Sequence, residues 1–272
     1  MDDVIFYNGK FISEREFSIS GNNRAFNYGD GFFETLKIIN SKLFNFNYHM
    51  QRIQKAFNTL KLDDFLIEDS LKNTCIDLLQ ANKIVHGSIK IHVSRRGIGK
   101  YLPENNKSNL YIKSIHGLGY QINNPISLCF YQEQRKNIGS LSNIKSANSL
   151  VSVLASIYAR ENNFDNAILL NYFKDVIEVA NANIFLVKSE CVYTPPLLSG
   201  CVDGTMRKWV SKKFTIVEKS ILKSDLLDAD EVFVTNASNG IIPVGSIEKI
   251  FFKDFDVAKS IQNKLINLSL DF

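Results

Sequence analysis

Residues that usually announce a chemistry are scarce in this 272-residue chain: one tryptophan, three methionines, four histidines, four cysteines and five prolines. The histidines are scattered, and no cysteine stands at C-x-x-C spacing or has a histidine at ligand distance along the chain. No metal site and no disulfide framework is expected from that pattern. Cys75, Cys129, Cys191 and Cys201 read as free thiols of a reducing cytosol. No apolar run approaches the roughly 18 residues of a membrane span. The N-terminal MDDVIFYNGK is acidic and has no apolar signal core. A soluble cytoplasmic protein without a membrane partner is expected. Charge is also unconcentrated: the net value is +4 and no basic run reaches five residues, so nucleic acid is not expected as a partner. A small phosphate or carboxylate ligand suits this balance. The common catalytic signatures are missing too. There is no G-x-S-x-G, no P-loop and no H-E-x-x-H, and Gly97-Ile98-Gly99 lacks the third glycine of a dinucleotide fingerprint.

What is present is ordinary globular stock, with 45% hydrophobic and 22% charged residues. Twenty phenylalanines and ten tyrosines suggest sheets with packed aromatic faces. DVIFY (3–7) reads as a strand, turned at Asn8-Gly9 into a return strand over 10–19. FFETLKII (32–39) and KLFNF (42–46) read as a second hairpin about Asn40-Ser41. Met50, Ile53, Phe57 and Leu60 then recur at helical spacing behind a possible Asn47 cap, giving a helix over 47–60. Further helices are predicted over 68–81, 146–161, 204–214 and 254–268. Further strands are predicted over 88–94, 109–115, 126–131, 166–171, 175–179, 183–188, 191–193 and 230–235. GLGYQINNP (117–125) reads as a linker. The pattern is mixed, α+β or α/β, in two parts.

Five segments stand out. Lys145, in IKSANSL, falls at the predicted start of helix 146–161. A cation there opposes the positive end of the macrodipole, which lowers its pKa and makes its amine a better nucleophile. The plain alternative is an exposed lysine. Glu178, in VIEVANANIF, ends an apolar strand, with Asn181 and Asn183 behind it. Buried, it needs a partner to share charge or a proton; facing solvent, it needs none. In LSGCVDGTMRKWV (198–210), Gly204, Thr205 and Met206 open a helix whose first amides can cradle a phosphate. A simple loop-to-helix junction would look the same. TNASNGIIPV (235–244) is another small-residue turn after a strand, and Arg52, in HMQRI, is either a phosphate clamp or a surface residue.

None of the five is specific alone, but their order and spacing resemble the fold-type IV family of pyridoxal-5′-phosphate (PLP) enzymes. That family holds branched-chain and D-amino acid aminotransferases and aminodeoxychorismate lyases. RAFNYGDGFFETLKI (24–38) is similar to its N-terminal signature, HMQRI to the phosphate-arginine segment, IKSANSL to the lysine segment and EVANANIF to the glutamate segment. GTMR (204–207) and ADEVFVTNASNGIIPV (229–244) are similar to its two phosphate-binding turns. The resemblance implies a two-domain α+β (α/β) fold. Residues 1–118 would form a small N-terminal α/β domain, and 119–272 a larger cofactor-binding domain with a mixed, barrel-like sheet. It implies PLP as cofactor, a small amino substrate and a homodimer. Lys145 would be the catalytic lysine and Glu178 the partner of the pyridine nitrogen. Arg52, Asn183, Gly204, Thr205, Met206, Asn236 and Ala237 would surround the cofactor. Tyr28 and Phe26 would line the entrance or else pack in the core, and Lys100, Arg95 or Arg96 would hold a substrate carboxylate or else belong to a solvated loop.

The chain departs from many aminotransferases of the family, which carry GITR where it has GTMR and a hydroxyl residue where it has Ala237. Both departures, and the length, are more like the lyases. RRGIGKYLP (95–103) lacks the R-x-H of D-amino acid aminotransferases, whereas Glu34, in FFET, is more typical of the aminotransferases. A lyase releasing pyruvate and p-aminobenzoate is expected first, and an amino acid aminotransferase with a 2-oxo acid acceptor second.

Overall fold

The computed structural model describes residues 3–63 and 68–270. They pack as two units, one of residues up to 119 with 144–148 and the C-terminal residues from 269, the other of 120–143 and 149–268. The segment 144–148, which carries Lys145, thus packs with the N-terminal residues rather than with its sequence neighbours.

In the first unit, β1 (Val4–Tyr7) and β2 (Lys10–Ser13) form the expected hairpin, with Asn8 and Gly9 both at positive φ (47° and 90°). A turn with both central residues left-handed matches the twist of paired strands. The predicted return strand over 10–19 stops early, because Glu14–Glu16 form a 3-10 turn. Next come α1 (Arg24–Tyr28), β3 (Gly31–Ile39), β4 (Lys42–Leu43), α2 (Phe46–Leu60), α3 (Glu68–Ala81), β5 (Gly87–Arg95) and β6 (Ser108–His116). The strands make one sheet in the order β2-β1-β6-β5-β3-β4. Along β3, Phe32, Leu36 and Ile38 point into the core with Glu34 among them, as the two-residue strand period requires. Against that face lie Met50, Ile53 and Phe57 of α2 and Leu71, Cys75 and Leu78 of α3. The residue at the α2 N-cap is Asn45, at φ 56°, not Asn47.

The second unit contains β7 (Ile126–Phe130), α4 (Leu150–Glu161), β8 (Asn166–Leu170), β9 (Val176–Val179), β10 (Asn183–Lys188) and β11 (Cys191–Thr194). It continues with α5 (Thr205–Lys213), β12 (Ile216–Glu218), α6 (Lys223–Leu227), β13 (Glu231–Asn236), β14 (Gly240–Ile247), β15 (Ile250–Phe251) and α7 (Asp256–Leu270). The strands form one mixed sheet in the order β12-β11-β10-β13-β14-β7-β8-β9, with β15 added beside β14. One face packs Leu128, Ile168, Ile184, Val234 and Val244; the other buries Cys129, Leu169 and Ile177 with Ala155 and Ala159 of α4. Every residue of β8 and β9 is buried, as in a sheet covered on both faces.

Two differences from the sequence reading bear on function. β14 occupies a stretch read as a turn, because Gly240 and Pro243 punctuate an otherwise apolar run. Helix α4 starts at Leu150 instead of residue 146, and its apolar stripe Leu150, Val153, Leu154 and Ile157 faces outward, while Ala155 and Ala159 face in.

Asn82 ties the first unit together. Its side chain accepts from the Val4 amide (2.8 Å) and donates to the Val4 carbonyl (2.7 Å) and the Ser114 hydroxyl (2.8 Å). Asn82→Ala leaves these groups unsatisfied and is expected to cost about 2–4 kcal/mol. Urea unfolding would show this as a lower midpoint at constant m value.

Candidate functional site

In the first unit the site residues gather on β3, α2 and the 144–148 segment. Gly31 opens β3 because a Cβ there would stand 2.3 Å from the Val93 carbonyl oxygen. Residues 145–147 pair with this end of the strand. The Phe33 amide donates to the Lys145 carbonyl and the Ala147 amide to the Gly31 carbonyl, each at 3.0 Å. Lys145 is therefore held by a strand, five residues before α4 begins, and the helix-dipole argument for its amine does not apply. Its half-buried Nζ instead lies 4.5 Å from the centre of the Phe33 ring.

On the buried side of β3, Glu34 is wholly enclosed and receives Arg52 in a two-point clamp. Nε donates to Oε1 at 2.6 Å and a terminal nitrogen to Oε2 at 2.7 Å. His49 Nδ1 lies 2.7 Å from Oε2. Burial alone would push the Glu34 carboxyl up, but the Arg52 guanidinium and the His49 hydrogen bond outweigh it and hold it at about 2. Burial pushes the His49 imidazole below its ordinary range, against the pull of Glu34, with Arg52 and Lys145 adding to the depression. His49 is thus a neutral ring donating Nδ1–H to an ionised carboxylate. Arg52 is neither a surface residue nor an uncommitted clamp. Two of its five N–H donors are spent on Glu34.

Arg95 is buried and its guanidinium is committed elsewhere. It donates to Asp30 (2.9 Å), Asn106 (2.8 Å), and the Leu60 and Lys61 carbonyls. The expectation that it holds a substrate carboxylate is corrected accordingly, since four of its five N–H donors are already committed in the core. Asp30 also receives Arg24 Nε at 2.8 Å, and Arg24 donates to the Gly99 and Lys100 carbonyls at 2.9 and 2.7 Å. Arg24 and Asp30 therefore pin the loop that carries exposed Lys100. Arg96 is exposed at the start of the same loop. Exposed Tyr28 lies beneath the Arg24 guanidinium (5.0 Å) and beside Tyr101 (ring centres 5.8 Å apart), and Phe26 is also exposed.

In the second unit Glu178 is buried near the end of β9. Its carboxylate pairs with Lys136 and accepts the Val202 amide at 2.9 Å. The loop before α5 is fastened by Asn143, which donates to the Leu197 and Cys201 carbonyls, and by Asn171, which donates to Ser199. Asn183 donates to the Val202 carbonyl at 2.8 Å, and its Oδ1 lies 1.8 Å from where a Gly204 Cβ would stand. Only glycine fits there. Gly204 offers no side chain to cap α5, whose first residues Thr205 and Met206 are buried. After β13, Asn236 Oδ1 accepts the Ser238 and Asn239 amides (3.0 and 2.9 Å), and the Ala237 carbonyl accepts the Tyr120 hydroxyl at 2.9 Å. The Thr235 hydroxyl is buried with no hydrogen-bond partner among the described residues.

The sequence reading missed His49, Lys136, Arg24, Asp30 and Thr235 as site residues. An HxxR spacing on an amphipathic helix was a usable signal for His49; the others owe their places to contacts distant in the chain.

Residues 31–247 match the family Amino-transferase class IV. The aminodeoxychorismate lyase of Vibrio harveyi is 30% identical over 265 residues, covering 87% of this chain and 90% of that protein. The D-alanine aminotransferase of Bacillus licheniformis is 26% identical over 260 residues, covering 90% and 88%. The branched-chain aminotransferase of Thermoproteus uzoniensis has the same fold, with a TM-score of 0.91 at 22% identity, covering 98% of this chain and 95% of that one.

A carboxyl held at about 2 stabilises the folded state above its ordinary value of 4.5, and that contribution is lost as pH falls from 4.5 toward 2. His49, depressed in the folded state, adds a loss that begins as pH drops through 6.5. Glu34→Gln leaves Arg52 buried without its counter-charge and is expected to cost about 3–5 kcal/mol at neutral pH. Denaturant titrations should show the gap between wild type and variant closing as pH falls through the Glu34 window.

Proposed function

The chain belongs to the class IV aminotransferases, PLP-dependent enzymes of fold type IV, and from that premise we propose that it is a 4-amino-4-deoxychorismate lyase. The residues present suit the cofactor. Gly204 leaves a cradle that any side chain would fill, the uncapped start of α5 favours an anion, and the buried Thr235 hydroxyl lacks a partner among the described residues. We assign the phosphate to Gly204, Thr205, Met206, Asn236 and Ala237, with Asn183 shaping the cradle, and we assign Arg52 to the cofactor as well. Glu178, paired with Lys136 and accepting the Val202 amide, is assigned to the pyridine nitrogen.

When bound, PLP supplies a carbonyl that condenses with amines and a ring that accepts electrons. Lys145 would hold the cofactor through Nζ, and the same amine would remove the proton from the amine-bearing ring carbon of the substrate. The enolpyruvyl ether oxygen departs, the ring aromatises, and the proton returned to the enolpyruvate gives pyruvate. The products are pyruvate and p-aminobenzoate, a step of folate synthesis. Lys100 on its pinned loop is assigned to a substrate carboxylate, with Tyr28 at the entrance.

The observation carrying the lyase reading is the pair Met206 and Ala237, where many aminotransferases have hydroxyl side chains. Buried Glu34 favours the second reading, an amino acid aminotransferase, as does the similarity to D-alanine aminotransferases. We further place the enzyme in the cytoplasm, in keeping with four free thiols, and as a homodimer. The outward stripe of Leu150, Val153, Leu154 and Ile157 on α4 suits a second copy. No helix among the described residues is long and apolar enough to cross a membrane.

Product analysis separates the readings. With aminodeoxychorismate, equal amounts of pyruvate and p-aminobenzoate are expected. Turnover confined to amino acids paired with 2-oxo acids would overturn the lyase reading. Lys145→Ala is expected to lower turnover by about 10²- to 10⁴-fold, and an unchanged rate would remove Lys145 from its role.

A further inference from the structure

A cavity of about 530 Å³ opens in the first unit where the paired strands β1 and β6 meet α3. Its size is that of a small-molecule pocket, roughly 300–1,000 Å³. The apolar part of its wall is Phe6, Leu71 and Leu110. Leu71 and Leu110 belong to the buried core with Phe32, so the cavity lies on the helix-covered side of the sheet. Phe33, the ring beside Lys145, alternates to the other side. The cavity is thus separate from that lysine, and the functional reading gives it no task. Its charged wall is Arg96, Lys107 and Asp63. Arg96 and Lys107 are neighbours across the stem of the 97–106 loop, where the Arg96 amide donates to the Lys107 carbonyl at 2.8 Å. Like charges so placed repel. Arg96 donates Nε to the Asn109 side-chain oxygen at 3.1 Å, and neither cation forms an ion pair among the described residues. Two cations less one acid leave a single positive charge unmatched.

We propose that this cavity is a second ligand site, one that takes a small aromatic carboxylate. The ring packs on Phe6, Leu71 and Leu110, and the carboxylate lies against Arg96 and Lys107. An aromatic body suits the floor, because Phe6 already packs edge-on against Phe11 at 5.3 Å and rings favour such contacts. The charge balance selects a monoanion. A phosphate monoester carries about −1.5 to −2 at neutral pH and would leave charge uncompensated over an apolar floor. A bound carboxylate also offsets the repulsion between Arg96 and Lys107, and so steadies the stem of the loop that carries Lys100.

The test titrates the full-length holoenzyme with benzoate and, separately, with benzyl alcohol, its uncharged match. Calorimetry should give benzoate a Kd of roughly 0.1–1 mM and benzyl alcohol an affinity at least about tenfold weaker. Combining Arg96→Gln with Lys107→Gln should bring benzoate down to the level of the alcohol. That double variant removes two repelling charges at exposed positions, so its melting temperature should not fall. Thr74→Trp, a larger side chain on the cavity wall, should abolish binding of both probes. Amide hydrogen exchange locates the site: benzoate should slow exchange over 70–74 and 96–108 and leave 144–148 unchanged. No benzoate binding by the wild type overturns the proposal. So does equal affinity for the two probes, undiminished benzoate affinity in the double variant, or slowing confined to 144–148. None of these outcomes bears on the lyase reading, which product analysis decides by itself.

Discussion

The first unit depends on one buried carboxylate. Glu34 occupies an inward position of β3 where the strand otherwise places Phe32, Leu36 and Ile38. An ionised acid there is tolerable only with opposing charge in contact, and Arg52 provides it through two hydrogen bonds. The pair fixes α2 against β3. His49, on the same face of the helix, closes the remaining side of the carboxylate and stays neutral in doing so. Hydrophobic burial holds helix and sheet together, but it does not choose one register; the clamp does. Arg52 is thereby held in one orientation by the buried carboxylate.

The second unit solves a comparable problem with backbone groups. The cradle we assign to the phosphate lies at the helix start whose N-cap is Gly204, placed where Asn183 excludes every residue but glycine. Asn143 and Asn171 hold the preceding loop by its carbonyls, so that loop is ordered before any ligand binds. Pre-ordering of this kind reduces the entropy lost on binding. Glu178 follows the same economy of contacts. Its carboxylate is held by Lys136 and one backbone amide in a largely buried setting.

Much of the architecture was legible in the sequence because the signals were local. The Asn8-Gly9 and Asn40-Ser41 turns declare their hairpins through residues that tolerate positive φ. The helical period of Met50, Ile53 and Phe57 marks α2, and α3 falls on its predicted span. β14 was hidden because Gly240 and Pro243 carry the signature of a turn while the ladder beside β13 accommodates both. α4 began late because residues 145–147 give their backbone hydrogen bonds to β3, a partner more than a hundred residues away. Local propensity has no access to such a competitor.

The candidate site divides along the same line. Its residue types and their order were readable: a lysine, a glutamate, an arginine and two small-residue turns in collinear array, together resembling one enzyme family. Tertiary structure decided which side chains have capacity left for a ligand. Arg95 looks from the sequence like a carboxylate binder and is consumed by Asp30 and the core. Lys145 looks like a helix-start lysine and is held by a strand beside an aromatic ring. Thr235 looks like any strand threonine and carries a buried hydroxyl that has no hydrogen-bond partner among the described residues. A sequence determines which groups a chain owns and the short-range geometry they prefer. Only packing determines which of those groups are spent on one another, because hydrogen bonds and ion pairs are satisfied across distances that the linear order does not encode.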